Sequence, residues 1–195
     1  MSPIEKINAF IKSIDYAENP EGSSMPDQIL YYFDLFQRNA HIKTVVEIGF
    51  NLGISAASFL SSRSDVSVVS VDIGSHGYVL PAKRNIDRHF PNRHTLVIGD
   101  SATTIPFLHN FFGSMTVDLF MIDGDHREPA PAVDLANALS WCSEETYIIV
   151  DDVLEGNNGV NRAVAAAIAA HHVKLIEHKS TKDRGWVLLK RSFKL

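Results

Sequence analysis

The chain has one cysteine, Cys142, in 195 residues, so it can form no internal disulfide. Such sparse cysteine usage favours a reducing compartment, and a cytoplasmic location is the expectation. No apolar run is long enough to span a bilayer, so no membrane association is expected. Glu5, Lys6, Lys12 and Asp15 interrupt the first residues, which excludes the apolar stretch of a signal peptide. There is no basic block or arginine stripe, and the net charge is −5 with a pI near 6.0. A nucleic acid is therefore not expected as the main partner. Repeats, low-complexity segments and linkers are also missing. What remains is ordinary globular composition, 45% hydrophobic and 21% charged. The length fits one domain over residues 1–195 with a sizeable core.

The most informative stretch is also read through what it lacks. In Val45-Val46-Glu47-Ile48-Gly49-Phe50-Asn51-Leu52-Gly53-Ile54-Ser55 an apolar run ends in an acid, a glycine turn follows, and then a stretch able to start a helix. An open α/β sheet presents its first strand, turn and helix to a nucleotide-like ligand in this way. Gly49 allows a tight turn, and Gly53 is expected to let a ligand approach the helix start without meeting a Cβ. A dinucleotide fingerprint would need a third glycine at Asn51, and a phosphate-binding loop would need a Lys-Ser/Thr pair. Neither is present. Glu47, just before the turn, would repel a pyrophosphate but suits a sulfonium. That points to S-adenosylmethionine, with Glu47, Gly49, Phe50, Asn51 and Gly53 as its candidate contacts.

Hydrophobic periodicity organises the rest. Ile4, Ile7, Phe10, Ile11 and Ile14 predict an amphipathic helix over 3–16. Turn residues predict a loop over 19–24. A second helix begins at Asp27, with Ile29, Leu30, Phe33 and Phe36 on its buried side. Strands are expected at 44–48, 66–71, 95–98, 117–122, 146–150, 173–177 and 185–190. Helices are expected at 51–60, 78–89, 101–111, 129–139 and 158–170. Strand–helix alternation predicts an α/β fold: a Rossmann-like, doubly wound sheet of seven mostly parallel strands, preceded by a helical lead-in over 1–40. The loop 179–184 is too short for a crossover, so the last two strands should form an antiparallel hairpin.

In such a sheet the ligand lies over the carboxyl ends of the strands. Five successive predicted strands end in acid. Glu47 stands at the end of the first, before Gly49. Asp72 follows the second, placed to bond ribose hydroxyls. Gly99-Asp100-Ser101 follows the third, where Asp100 and Ser101 can meet an adenine edge or simply cap the next helix. Asp123-Gly124-Asp125-His126 follows the fourth, and Asp151-Asp152 the fifth. His171 and His172 are neighbours on a predicted helix, do not share a face, and are not read as a metal pair.

These segments resemble the class I S-adenosylmethionine-dependent methyltransferases. More narrowly, the chain resembles the O-methyltransferases of the catechol and caffeoyl-CoA type and the related macrocin-type group. The Glu-Ile-Gly-x-x-x-Gly turn, the Ile-Asp-Gly-Asp-His segment and the following Asp-Asp carry the resemblance, which spans nearly the whole chain. It implies a divalent cation, Mg²⁺ ahead of Mn²⁺ or Ca²⁺ by the all-oxygen ligand set, held by Asp123, Asp151 and Asp152. Asp152 stands where the catechol-type enzymes have Asn. It implies a general base at the place of His126, where those enzymes carry Lys. Asp123 would serve both catalysis and cofactor binding. It also implies O-methylation of a small hydroxylated acceptor, and relatives of this type are often homodimers. Two rivals stand beside this reading: a metal-independent methyltransferase acting on N or O, and a non-catalytic S-adenosylmethionine-binding protein.

Overall fold

A computed structural model describes residues 1–14, 24–111, 115–154, 158–181 and 184–192. Most of the loop expected over 19–24 lies outside these. The elements run α1 (Pro3–Lys12), α2 (Pro26–Arg38), β1 (Thr44–Ile48), α3 (Ile54–Ser62), β2 (Ser67–Asp72), α4 (Val79–His89), β3 (His94–Ile98), α5 (Ser101–Phe111), β4 (Leu119–Ile122), α6 (Ala130–Trp141), β5 (Tyr147–Val150), α7 (Gly159–Ala169), β6 (Val173–Ser180) and β7 (Gly185–Arg191). The strands form one sheet in the order β3-β2-β1-β4-β5-β7-β6. β2 pairs parallel with β3 and β4 with β5, whereas β7 runs antiparallel to both β5 and β6. The seven-stranded, Rossmann-like architecture read from the alternation is therefore the one observed.

The chain gathers into two compact units. The first comprises Met1–Val45 with Gly49–Gly99, and the second Val46–Ile48 with Asp100–Leu195. In the first, α1 starts on a reciprocal cap: Ser2 Oγ accepts from Glu5 N at 3.2 Å while Glu5 Oε2 accepts from Ser2 N at 2.7 Å. α1, α2 and α3 pack on one another, α3 on β2, and α4 on β3. Ile29, Tyr32, Phe33 and Phe36 face the core at the i, i+3, i+4, i+7 spacing of one helix face. Leu30 lies off that stripe and is 47% exposed, which corrects its expected burial. α3 begins three residues later than expected, because Asn51 (φ 50°) and Gly53 (φ 70°) are left-handed and cannot belong to a right-handed helix.

In the second unit α6 packs on β4 and on α5 and α7, and α7 packs on β6. The apolar run of β4, Leu119–Ile122, is buried throughout, as a strand covered on both faces requires. The register sets Ile122 opposite Val150, so Asp123 and Asp151 leave neighbouring strands at the same level. Among the described residues no helix is long and apolar enough to cross a membrane.

Candidate active site

In the first unit the glycine turn is held by an acid. Asp72 Oδ2 accepts from Phe50 N at 2.8 Å and Asn51 N at 2.9 Å, and Oδ1 accepts from Gly74 N at 2.7 Å. Charge-assisted bonds to three amides fix both the turn and the carboxylate. The structure thus brings together Gly49, Phe50, Asn51, Gly53 and Asp72. The structure gives Gly53 a packing reason as well. A Cβ there would meet Phe50 Cε2 and Cζ at 2.7 Å, so the glycine is needed to seat the chain's own ring. The Phe50 ring lies 5.0 Å from that of His94, which bonds Ser70 Oγ through Nε2 at 3.0 Å. Burial pushes His94 down to about 3, so its ring stays neutral.

In the second unit Glu47 is fully buried in β1. Asp100 caps α5, with Oδ1 accepting from Ala102 N at 2.9 Å. Ser101 Oγ donates to Asp134 Oδ1 at 2.7 Å. Asp134 was not anticipated, although an acid within the apolar α6 sequence was a visible signal. It is buried, and that burial raises its carboxyl above the ordinary range. Asp123, Asp134 and Asp151 line a cavity of about 10 Å³, about the room of one water.

Above the ends of β4 and β5 three side chains converge. One ligand atom each from Asp123, His126 and Asp152 lie within 4.8 Å of one another. His126 Nε2 is 3.1 Å from Asp152 Oδ2 and 3.8 Å from Asp123 Oδ1. Asp123, with Asp152 and Asp151 adding to it, raises the imidazole above its ordinary value. Asp152 is left-handed (φ 56°), which breaks the alternation of the strand it follows. Its other oxygen, Oδ1, accepts from Arg184 at 3.2 Å. Asp151, expected as a ligand, is not in the converging group. It is buried, and its Oδ1 accepts from Asp152 N at 2.9 Å. Asp125 instead pairs with Arg127, which holds its carboxyl down to about 2. Arg184 is the second residue the sequence reading missed, because nothing in a hairpin loop's composition marks it.

Does this donor set fit a divalent ion? Ligand atoms about 2.1 Å from one ion stand about 3.0 Å apart in an octahedron and about 3.4 Å apart in a tetrahedron. The 3.1 Å from His126 to Asp152 matches the shorter edge, and the 3.8 Å to Asp123 is longer than either. The residues fit.

Solved structures of the same fold include an O-methyltransferase from Bacillus cereus in complex with SAH. It is 20% identical and covers 96% of this chain and 91% of that one, at a TM-score of 0.81. Cofactor-bound Rv0187 from MTB is 18% identical, covers 97% and 89%, and has a TM-score of 0.74. CalS11, a TDP-rhamnose 3'-O-methyltransferase in calicheamicin biosynthesis, is 18% identical, covers 96% and 95%, and has a TM-score of 0.65. Comparison with curated proteins found no match. Residues 46–153, more than half of the chain and the span from the glycine turn to the paired aspartates, match the family described as a methyltransferase domain. The chain belongs to that family and is an S-adenosylmethionine-dependent methyltransferase of class I.

Proposed function

We propose that this methyltransferase acts on a hydroxyl oxygen of a small molecule with the assistance of a divalent cation. The observation that carries the reading is the convergence of Asp123, His126 and Asp152 beyond β4 and β5. The Bacillus cereus and CalS11 structures, both O-methyltransferases by name, support the choice of oxygen. A divalent ion supplies Lewis acidity, which lowers the pKa of an acceptor hydroxyl near it. The chain's own residues do the rest. Asp72 fixes the Phe50–Asn51 turn, and we assign it the ribose hydroxyls. Gly49, Phe50, Asn51, Gly53, Glu47, Asp100, Ser101 and Asp123 are the further contacts we assign to the methyl donor. The donor arrives activated by its sulfonium, so holding acceptor and methyl in line supplies much of the rate. A small acceptor, no nucleic acid and a homodimer complete the proposal.

The test is methyl transfer to a panel of hydroxylated acceptors, with Mg²⁺, with Mn²⁺ and with EDTA. Turnover that chelation abolishes and Asp123→Asn removes, with S-adenosylhomocysteine binding retained in EDTA, is the expected result. One observation favours a metal-independent reading: the Arg184 guanidinium already places a cation on Asp152. Under that reading turnover is indifferent to EDTA.

A further inference from the structure

We propose that Asp134 is a positioning residue for the methyl donor. It takes the single proton of the Ser101 hydroxyl, so Ser101 meets the donor's base only as an acceptor. The site thereby selects a base edge that carries an amino group, as adenine does, over one that carries an oxo group, as hypoxanthine does. This rests on the assignment of Ser101 to the methyl donor made above, and adds which way its hydrogen bond runs and which residue sets that.

The geometry carries it. Ser101 is the first residue of α5 and follows the carboxyl end of β3, the end of a strand at which ligands lie. Its hydroxyl is not spent on the helix start, because Asp100 caps α5 through Ala102 N. It reaches across to α6 instead and donates to Asp134 Oδ1 at 2.7 Å. A hydroxyl has one proton and two lone pairs, and a carboxylate only accepts. The proton is therefore committed, and what Ser101 offers a ligand is lone pairs. An amino group donates to them. An oxo group sets lone pairs against lone pairs, and such a mismatch discriminates more sharply than a missing contact.

Asp134 is a costly residue for helix packing alone. It is 1% exposed on α6, whose other buried residues are Pro131, Leu135, Ala138 and Trp141. A carboxylate is expensive to bury, and an apolar side chain would join α5 to α6 at less cost. The second carboxyl oxygen does not compete for Ser101. Oδ2 is turned toward Gly124, where an added Cβ would meet it at 3.0 Å, and Asp134 lines the small cavity there with Asp123 and Asp151. Burial raises this carboxyl, and a proton on Oδ2 would still leave Oδ1 to accept from Ser101.

The experiment is calorimetric titration of S-adenosylhomocysteine and of S-inosylhomocysteine, its 6-oxo counterpart, into the full chain and into Ser101→Ala, Asp134→Leu and Asp134→Ala. The readout is the ratio of the two affinities, which a merely structural role leaves unmoved. Wild type is expected to prefer the adenine ligand by about tenfold to a hundredfold. Asp134→Leu, or Asp134→Ala where leucine does not fold, frees the hydroxyl to donate to the oxo group, so the ratio should fall about tenfold. In a Ser101→Ala background the same Asp134 substitution should not move the ratio further. Asp134 variants that weaken both ligands equally, or neither, overturn the inference and leave the assignment of Ser101 standing. So does a wild type without the preference. Ser101→Ala with both affinities unchanged overturns that assignment and the inference together.

Discussion

Asp72 shows how much one side chain does. Its two oxygens accept from three backbone amides of the turns that follow β1 and β2. Truncation frees all three donors at once, and bonds to a charged acceptor are worth about 1.5–3 kcal/mol each. Asp72→Ala should therefore weaken S-adenosylhomocysteine binding by about tenfold to a hundredfold, read by calorimetry, and lower the unfolding midpoint as well. His94 gives a pH dependence with a definite sign. It is neutral in the fold down to about pH 3 but protonates near 6.5 when unfolded. Between those values the unfolded chain binds the extra proton, so stability falls as pH falls, by up to roughly 1.4 kcal/mol per pH unit from this residue. Urea unfolding at pH 7 and pH 5 should show the loss, and His94→Phe, which keeps the stack on Phe50, should flatten it. The strand-end acids were legible in the sequence because an α/β sheet forces its ligands to one end. Which of them converge was not legible. That depends on the left-handed turn at Asp152 and on an arginine from a distant loop.

At the scale of elements, the hairpin of β6 and β7 braces the site. Gly185, the first residue of β7, accepts through its carbonyl from Val153 N at 2.8 Å, and a Cβ on Gly185 would run into the Val153 carbonyl oxygen. Gly185→Ala should cost about 2–3 kcal/mol or more, because the obstacle is backbone and cannot turn aside. Chemical denaturation measures that cost. The strands and most helices were readable from period and turn chemistry, most ends being displaced by a residue or two, though β6 runs three residues past its expected end and α1 stops at Lys12, short of 16. The larger misses have local causes. Helix α3 starts late because two left-handed residues precede it, and Leu30 was judged by hydrophobicity when its angle on α2 decides. Gly53 was marked as special, but the ring of Phe50 that it must also seat was not legible.

For the whole molecule, cofactor and fold are linked by mass action. A ligand that binds only the folded chain adds about 2.7 kcal/mol at a hundred times its dissociation constant. For a chain of this length each kcal/mol moves the midpoint by about 2–4 °C. S-adenosylhomocysteine at that concentration should raise the melting temperature by about 5–10 °C in a thermal-shift assay. Asp72→Ala should reduce the shift at the same ligand concentration.

The strand order carries a consequence for how the protein is made. β7 follows β6 in the chain but lies inside it in the sheet. As the polypeptide leaves the ribosome, β6 emerges first and finds no partner, while one edge of β5 stays bare until β7 inserts between them. Asp152 waits through the same interval for Arg184. A chain halted before Gly185 thus exposes an unpaired strand edge of Tyr147–Val150. Such a product is lost by sticking to other unfinished chains, before its chemistry is ever tried.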